Sequence, residues 1–173
     1  FPFTEEPLAD IFGSPSSATP LKIFQFPTPP DDLYTVKITG EGTYNLNTYL
    51  YNQEGQVQTA SFKGLASAGQ IDFLSLLVDE NPQAITSQIS IDSIINDLDS
   101  AYKLRLITKK GIYLSLRNQL LATKRFLEQE KIGSAKRLLL AVEKQIKKYT
   151  PKFIKPLASE VLLSDLKTLR ESL

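Results

Sequence analysis

The spacing of the apolar residues changes from every second residue to helical spacing near residue 90. In the segments 34–38 and 44–50, β-branched and aromatic residues alternate with polar ones, and turn sequences rich in Gly and Asn follow each segment. This pattern predicts an antiparallel meander with one buried face. The segment 71–80 is apolar on both sides of the alternation, which predicts a central buried strand. We therefore expect an antiparallel β domain over residues 33–86.

From residue 90 onward the apolar residues recur at helical spacing. Ser90 is a plausible N-cap for a first helix. Three further helices are predicted over residues 112–130, 134–149 and 156–173, with Pro156 in the first turn of the last. The inward residues are predicted to be Ile91, Ile94, Ile95, Leu98, Ala101 and Tyr102, then Leu116, Leu120, Thr123 and Leu127, then Ala135, Leu138, Leu139, Val142 and Ile146, and finally Leu162, Leu166 and Leu169. Residues 90–173 thus predict a small antiparallel bundle of three to four helices.

Prolines separate a third part of the chain. Seven of the ten prolines lie in residues 1–30, which predicts an arm or linker over residues 1–32, with one edge strand at 21–26. The predicted fold class is α+β in two parts, a β-sandwich-like portion followed by the helical bundle. A sandwich usually needs about seven strands, and about five are recognised here, so we expect either that the proline-rich arm supplies further strands or that the β domain is the last part of a larger one.

The chain lacks Cys, His, Met and Trp. Without Cys and His it has no thiolate nucleophile, no tetrahedral zinc site of the usual Cys/His type and no side chain whose unperturbed pKa lies near neutrality. We therefore expect no enzymatic activity and no cofactor. No apolar run approaches the roughly 20 residues of a membrane-spanning helix.

Charge is divided unevenly along the chain. Residues 1–90 hold 3 Lys/Arg and 10 Asp/Glu, a net charge of −7, whereas residues 91–173 hold 17 and 9, a net charge of +8. The third predicted helix carries a basic face on the side opposite its apolar residues, formed by Lys136, Arg137, Lys144, Lys147 and Lys148. A solvated outer face explains these charges, and the functional alternative is a patch for a teichoic-acid-like polymer, a nucleic acid or an anionic lipid surface. Nucleic acid is the least expected of these, because the isoelectric point near 8.0 is low for such a domain.

Two other groups of residues are candidates for a binding site. Tyr49 and Tyr51 lie on the strand face opposite Leu50 and form either a sugar-stacking platform or a surface that another element covers. Two acidic pairs, Asp31 with Asp32 and Asp79 with Glu80, are weak candidates for calcium. A third pair, Asp97 and Asp99, is two residues apart on a helix, so its members do not face each other.

The segment "KKGIYLSLRNQLLATKRFLEQEKIGSAKRLLLAVEKQI" resembles the FIMAH-type domain, a small helical module near the C-termini of secreted and cell-surface bacterial proteins. The matching residues are Gly111, Ile112, Ser115, Leu116, Leu120, Thr123, Leu127, Ala135, Leu139, Ala141, Val142 and Ile146, and the later "LASEVLLSDLKTL" is similar to the closing helix of that domain. The strand region also resembles β-sandwich modules appended to secreted bacterial hydrolases and adhesins, at Tyr34, Val36, Ile38, Gly40, Tyr44 and Leu46. The resemblance implies an extracellular or cell-surface location.

These features predict a non-catalytic accessory module of a secreted or cell-surface bacterial protein. Its expected partner is a surface polymer or another protein chain, and self-association through the β portion is a further expectation. The alternative is an intracellular scaffold, or a nucleic-acid-associated helical bundle that uses the β portion as an oligomerisation arm.

Overall fold

The structure is a computed structural model that describes the backbone of residues 32–51, 55–69, 71–80 and 83–173, and the side chains of 36–51, 55–69, 76–77 and 89–173. Five strands come first: β1 (Asp32–Thr39), β2 (Gly42–Tyr51), β3 (Val57–Ala66), β4 (Ile71–Glu80) and β5 (Gln83–Gln88). Four helices follow: α1 (Ile91–Lys103), α2 (Lys110–Glu128), α3 (Ile132–Tyr149) and α4 (Pro156–Ser172). The predicted α+β class with a helical C-terminal part is confirmed. The predicted arm and its strand at 21–26 lie outside the described residues, and the division into three parts stays a prediction.

The strands form two antiparallel sheets. One contains three strands in the order β1-β4-β5, so β4 is central as the sequence predicts, and the other pairs β2 with β3. The expected meander is wrong at its first turn, because β1 pairs with β4 and not with β2. Gly40 (φ 150°), between β1 and β2, and Gly42 (φ 126°), the first residue of β2, adopt φ values that only glycine adopts readily, which lets the chain leave one sheet and enter the other. The β-sandwich stays a prediction.

The helices begin and end close to the predicted positions. The Ser90 hydroxyl accepts a hydrogen bond from the Ser93 amide at 3.0 Å, and the Ser93 hydroxyl accepts one from the Ser90 amide at 3.1 Å, so Ser90 caps α1 as expected. α2 and α3 each begin two residues before the predicted start, at Lys110 and Ile132. The inward residues are buried as predicted, except that Tyr102, Leu127 and Leu138 are only half-buried.

Strand β3 connects the sheets to the bundle. Leu65 is 1% exposed and belongs to the same apolar cluster as Ile94 and Leu98 of α1 and Leu162 of α4. Its backbone amide donates a hydrogen bond of 2.9 Å to the buried carboxylate of Asp97. The Lys63 side chain, two residues earlier, forms an ion pair with Glu160 of α4. The end of β3 is therefore part of the core of the helical half.

Replacing the buried carboxylate should weaken this connection. We expect Asp97→Ala to lower the free energy of unfolding by about 2 kcal/mol, because the buried Leu65 amide loses its acceptor. The matched control is Asp92→Ala, also on α1, whose side chain is 61% exposed and pairs with Lys124. The control should lower the free energy of unfolding by less than about 1 kcal/mol in urea denaturation. Equal losses in the two variants would contradict the assignment of Asp97 as the link.

Gly64 lets an aromatic ring lie against β3. Tyr44 is directly opposite Gly64 in the β2–β3 pair, and a Cβ atom added at Gly64 would meet the Tyr44 ring. We expect Gly64→Ala to destabilise the fold by about 2 kcal/mol, because the ring must move. Gly133, in α3, has open space where a Cβ would be, so Gly133→Ala should instead stabilise by up to about 1 kcal/mol. Urea denaturation of both variants measures the two changes in the free energy of unfolding. A Gly64→Ala variant as stable as the wild type would refute the prediction.

Candidate anion-binding interface

Two loops meet at one end of the helical bundle. The first joins α1 to α2 and the second joins α3 to α4. Ile107 and Ile154 form an antiparallel bridge between them, the Thr108 amide donates to the Phe153 carbonyl at 2.9 Å, and the Lys155 amide donates to the Leu106 carbonyl at 2.8 Å. Ile107 and Ile154 are 1% and 0% exposed. The buried isoleucines and the backbone hydrogen bonds therefore hold the two loops together as one surface.

The end of α1 directs the first loop into this pairing. Arg105 has a φ of 58°, and the Leu106 amide donates to the Ala101 carbonyl at 2.9 Å. This is the hydrogen bond of a Schellman motif, which usually places Gly or Asn at the position with positive φ. The sequence has arginine there, so the turn displays a positive charge.

The paired loops and the adjoining helix ends carry only positive charge. Residues 103–110 contain four Lys/Arg, residues 144–155 contain five, and neither segment contains Asp or Glu. We call seven exposed members of this group the basic end: Arg105, Lys109, Lys110, Lys147, Lys148, Lys152 and Lys155. Lys103, the last residue of α1, is also exposed but is not included. None of the seven forms a salt bridge with a described residue. Their charges are therefore not neutralised by the described part of the chain.

The helix dipoles add little to the positive electrostatic potential at the basic end. The N-termini of α2 and α4 lie at the basic end, with Lys109 and Lys155 as N-caps that make no side-chain capping bond. The C-termini of α1 and α3 lie at the same end, and a helix C-terminus carries the opposite partial charge. Because two positive and two negative helix ends meet here, the net field comes from the side chains.

Two aromatic rings hold some of the ammonium groups. Lys109 Nζ lies 4.3 Å from the centre of the Phe153 ring, and Lys152 Nζ lies 5.2 Å from the same ring. Lys148 Nζ lies 5.7 Å from the centre of the Tyr149 ring, and the two rings are 6.2 Å apart. Cation–π attraction of this kind is worth about 0.5–1 kcal/mol at an exposed site. It orders the lysines without reducing their charge.

Asp99 of α1 and Tyr113 and Arg117 of α2 form a hydrogen-bonded cluster, here called the clamp, that supports the first loop. Asp99 accepts a hydrogen bond of 2.9 Å from the Tyr113 hydroxyl and one of 3.1 Å from Arg117 Nε. The ring of Tyr113 stacks on that of Tyr102, with centres 4.1 Å apart and planes at 5°. The acidic residue nearest in sequence to the first loop is thus paired with Arg117. Burial raises the pKa of the Tyr113 hydroxyl, and so does its hydrogen bond to Asp99.

The structure brings together only part of the predicted basic face. Lys144, Lys147 and Lys148 are exposed and lie at or beside the basic end. Arg137 is exposed and Lys136 is half-buried, and both lie in the first two turns of α3, roughly 16–18 Å along the axis from Lys148. The predicted basic face does not include five residues of the basic end, namely Arg105, Lys109, Lys110, Lys152 and Lys155. The sequence feature that could have predicted these residues as part of a basic surface is the absence of Asp and Glu from residues 100–127 and 144–159.

The other predicted site residues are placed as follows. Tyr49 and Tyr51 are 59% and 67% exposed on β2. Asp79 and Glu80 lie at the end of β4, whose side chains there are outside the described set, and Asp31 lies outside it altogether. Asp97 and Asp99 have different partners, as expected from their spacing. In the described part of the chain, no three side chains of the His, Cys, Asp and Glu types group closely enough to hold a metal ion.

None of the described helices combines the length and the hydropathy that a membrane-spanning segment requires. A scan of family models and searches of curated proteins and solved structures found no match to this chain. The FIMAH resemblance therefore stays a prediction.

The clamp should make stability depend on pH in the alkaline range. The folded state holds the Tyr113 proton more tightly than the unfolded state does, because its pKa is raised. This contribution is complete below about pH 10 and is lost as the pH rises through the folded pKa. We expect Tyr113→Phe to lower the free energy of unfolding by about 1 kcal/mol at neutral pH, through loss of the hydrogen bond to Asp99. The difference from the wild type should shrink above about pH 10.

Urea denaturation of the wild type and Tyr113→Phe at about pH 8 and about pH 11 measures this change. Tyr49→Phe removes a hydroxyl from an exposed residue, and at neutral pH it should alter the free energy of unfolding by less than about 0.5 kcal/mol. A difference between wild type and Tyr113→Phe that is the same at both pH values would contradict the assignment.

Proposed function

We propose that this chain is a non-catalytic attachment module of a secreted or cell-surface bacterial protein, and that its basic end binds an anionic surface polymer. The observation that carries the proposal is the basic end itself. Seven exposed Lys/Arg residues lie on two bridged loops and the helix turns beside them, and none is paired with a described carboxylate.

The arrangement favours a partner that brings negative charge. Like charges within a Debye length, about 8 Å at physiological ionic strength, repel one another and attract counterions. A polyanion that replaces those counterions releases them, and this release makes binding favourable and dependent on salt. The scaffold is rigid, because the loops are joined by backbone hydrogen bonds and buried isoleucines. Little ordering of the backbone is then required on binding.

The charges also extend along α3. Lys148, Lys144 and Arg137 follow one another on the outward face of the helix, at spacings of four and seven residues. Arg137 is therefore roughly 16 Å along the axis from Lys148. An elongated row of charges fits a linear polymer with repeated negative groups better than it fits a single small anion.

The aromatic rings favour a surface polymer over nucleic acid. Proteins that bind single strands stack bases on open aromatic faces. Here Lys109 and Lys152 lie over the Phe153 ring, so ammonium groups already occupy the position of a stacked base.

We also propose that the two sheets belong to a β-sandwich-like module beside the bundle. Supporting this proposal, Leu50 of the β2–β3 pair and Leu76 of β4 are 5% and 6% exposed. Each sheet thus buries apolar residues, as the layers of a sandwich do.

The test is binding to poly(glycerol phosphate), a teichoic-acid-like polymer, at several salt concentrations. We expect the triple variant Lys109→Glu/Lys152→Glu/Lys155→Glu to bind at least about tenfold more weakly, with the slope of log K against log salt reduced by about three. The matched control reverses three charges away from the basic end, in Arg125→Glu/Lys131→Glu/Lys167→Glu. Because it has the same net charge, it should bind close to the wild type.

Equal weakening in the two triple variants would mean that net charge alone drives binding and would overturn the proposal. Tighter binding to duplex DNA than to poly(glycerol phosphate) at the same salt concentration would overturn it in favour of the nucleic-acid alternative. If the chain bound neither polymer, the proposal that the basic end is a polyanion-binding site would be overturned.

A further inference from the structure

One face of the β2–β3 pair is exposed from Thr43 to Tyr51 of β2 and from Val57 to Lys63 of β3, and beyond Lys63 the same face is covered by the helical bundle at Leu65. Alternation places Thr43, Asn45, Asn47, Tyr49 and Tyr51 of β2 on this face, together with Val57, Thr59, Ser61 and Lys63 of β3, and all nine are exposed. On the opposite face, Tyr44, Leu46 and Thr48 are half-buried and Leu50 is buried. The pair therefore has one inner and one outer surface.

The two tyrosines are the largest side chains on the outer surface. Tyr49 and Tyr51 are 59% and 67% exposed, while Leu50 between them is 5% exposed. Since they are two residues apart on one strand, their Cα atoms are about 7 Å apart and their side chains leave the same side. Tyr49 is paired with Thr59 and Tyr51 with Val57, so smaller side chains flank both rings.

The rest of the outer surface consists almost entirely of neutral hydrogen-bonding groups. The Ser61 hydroxyl donates to the Asn47 side-chain oxygen at 2.8 Å, and this bond uses the oxygen of the amide while its NH₂ group can donate elsewhere. Lys63 is the single charged residue among the nine, and Glu160 pairs with it. A surface with rings, amides and hydroxyls and with its one charge neutralised is complementary to an uncharged polar ligand.

We propose that this surface, the tyrosine face (Tyr49, Tyr51, Asn47 and Thr59), binds a neutral polysaccharide. The C–H faces of sugar rings pack on exposed aromatic rings, and sugar hydroxyls exchange hydrogen bonds with amide and hydroxyl groups. A folded protein partner fits less well, because a standard interface covers about 800 Å² on each side with an apolar centre. The apolar part of this face is two rings and Val57.

The tyrosine face is a different surface from the basic end, so either proposal can be disproved while the other still holds. We would measure co-sedimentation of the chain with insoluble cellulose, chitin, xylan and starch, at about 0.05 M and about 1 M salt. We expect at least one of these neutral glycans to retain the chain equally at both concentrations, because no charge is involved. The variant Lys109→Glu/Lys152→Glu/Lys155→Glu should bind that glycan as the wild type does.

Two paired variants of the tyrosine face give the sharper test. Tyr49→Thr/Tyr51→Thr keeps residues that favour a strand but removes both rings, and it should weaken glycan binding about tenfold or more. Tyr49→Phe/Tyr51→Phe keeps both rings and should bind within about threefold of the wild type. An unchanged melting curve by circular dichroism shows that each variant folds.

No binding of the wild type to any of the four glycans would overturn this proposal. It would also be overturned if the threonine variant bound as tightly as the wild type, or if retention disappeared at high salt.

Discussion

The hydrogen bond from the buried Leu65 amide to the Asp97 carboxylate is the contact on which the arrangement of the two halves depends. Leu65 also inserts its side chain into the apolar cluster of the bundle. A backbone donor buried next to helices needs an acceptor, and α1 supplies one in the middle of its buried face. This contact fixes the end of β3, and through the β2–β3 register it fixes the position of every residue on the tyrosine face relative to the helices.

Local patterns in the sequence predict most of the helical half. Apolar residues at helical spacing locate all four helices, and the Ser90 cap and Pro156 locate two of the starts. The starts of α2 and α3 were placed two residues late because their N-caps are Lys109 and Lys131, residues that give no capping signal. Leu138 lies at the edge of the buried stripe of α3, where spacing alone does not distinguish buried from half-buried.

Pairing between distant segments is much harder to predict. Alternation predicts β1 and β2, and a continuous apolar run predicts β4. Neither pattern shows that β1 pairs with β4, because that choice depends on contacts about 40 residues apart along the chain. The candidate interface has the same limitation. Two of its seven charges, Lys147 and Lys148, lie on α3, where the sequence shows a basic face. The other five lie in the two loops or at the start of α2, and the two loops become neighbours only through the Ile107–Ile154 bridge.

In each of the two bridged loops, different residues set the path of the backbone and carry the charge. Ile107 and Ile154 are buried and set the path of the backbone, whereas Lys109, Lys152 and Lys155, one or two residues away, point outward and contribute little to the core. Substitutions at the outward positions can therefore change the charge of this end while the loops keep their shape. A fold built in this way can acquire a new ligand by surface substitutions alone, because its stability and its binding specificity reside in different side chains of the same loops.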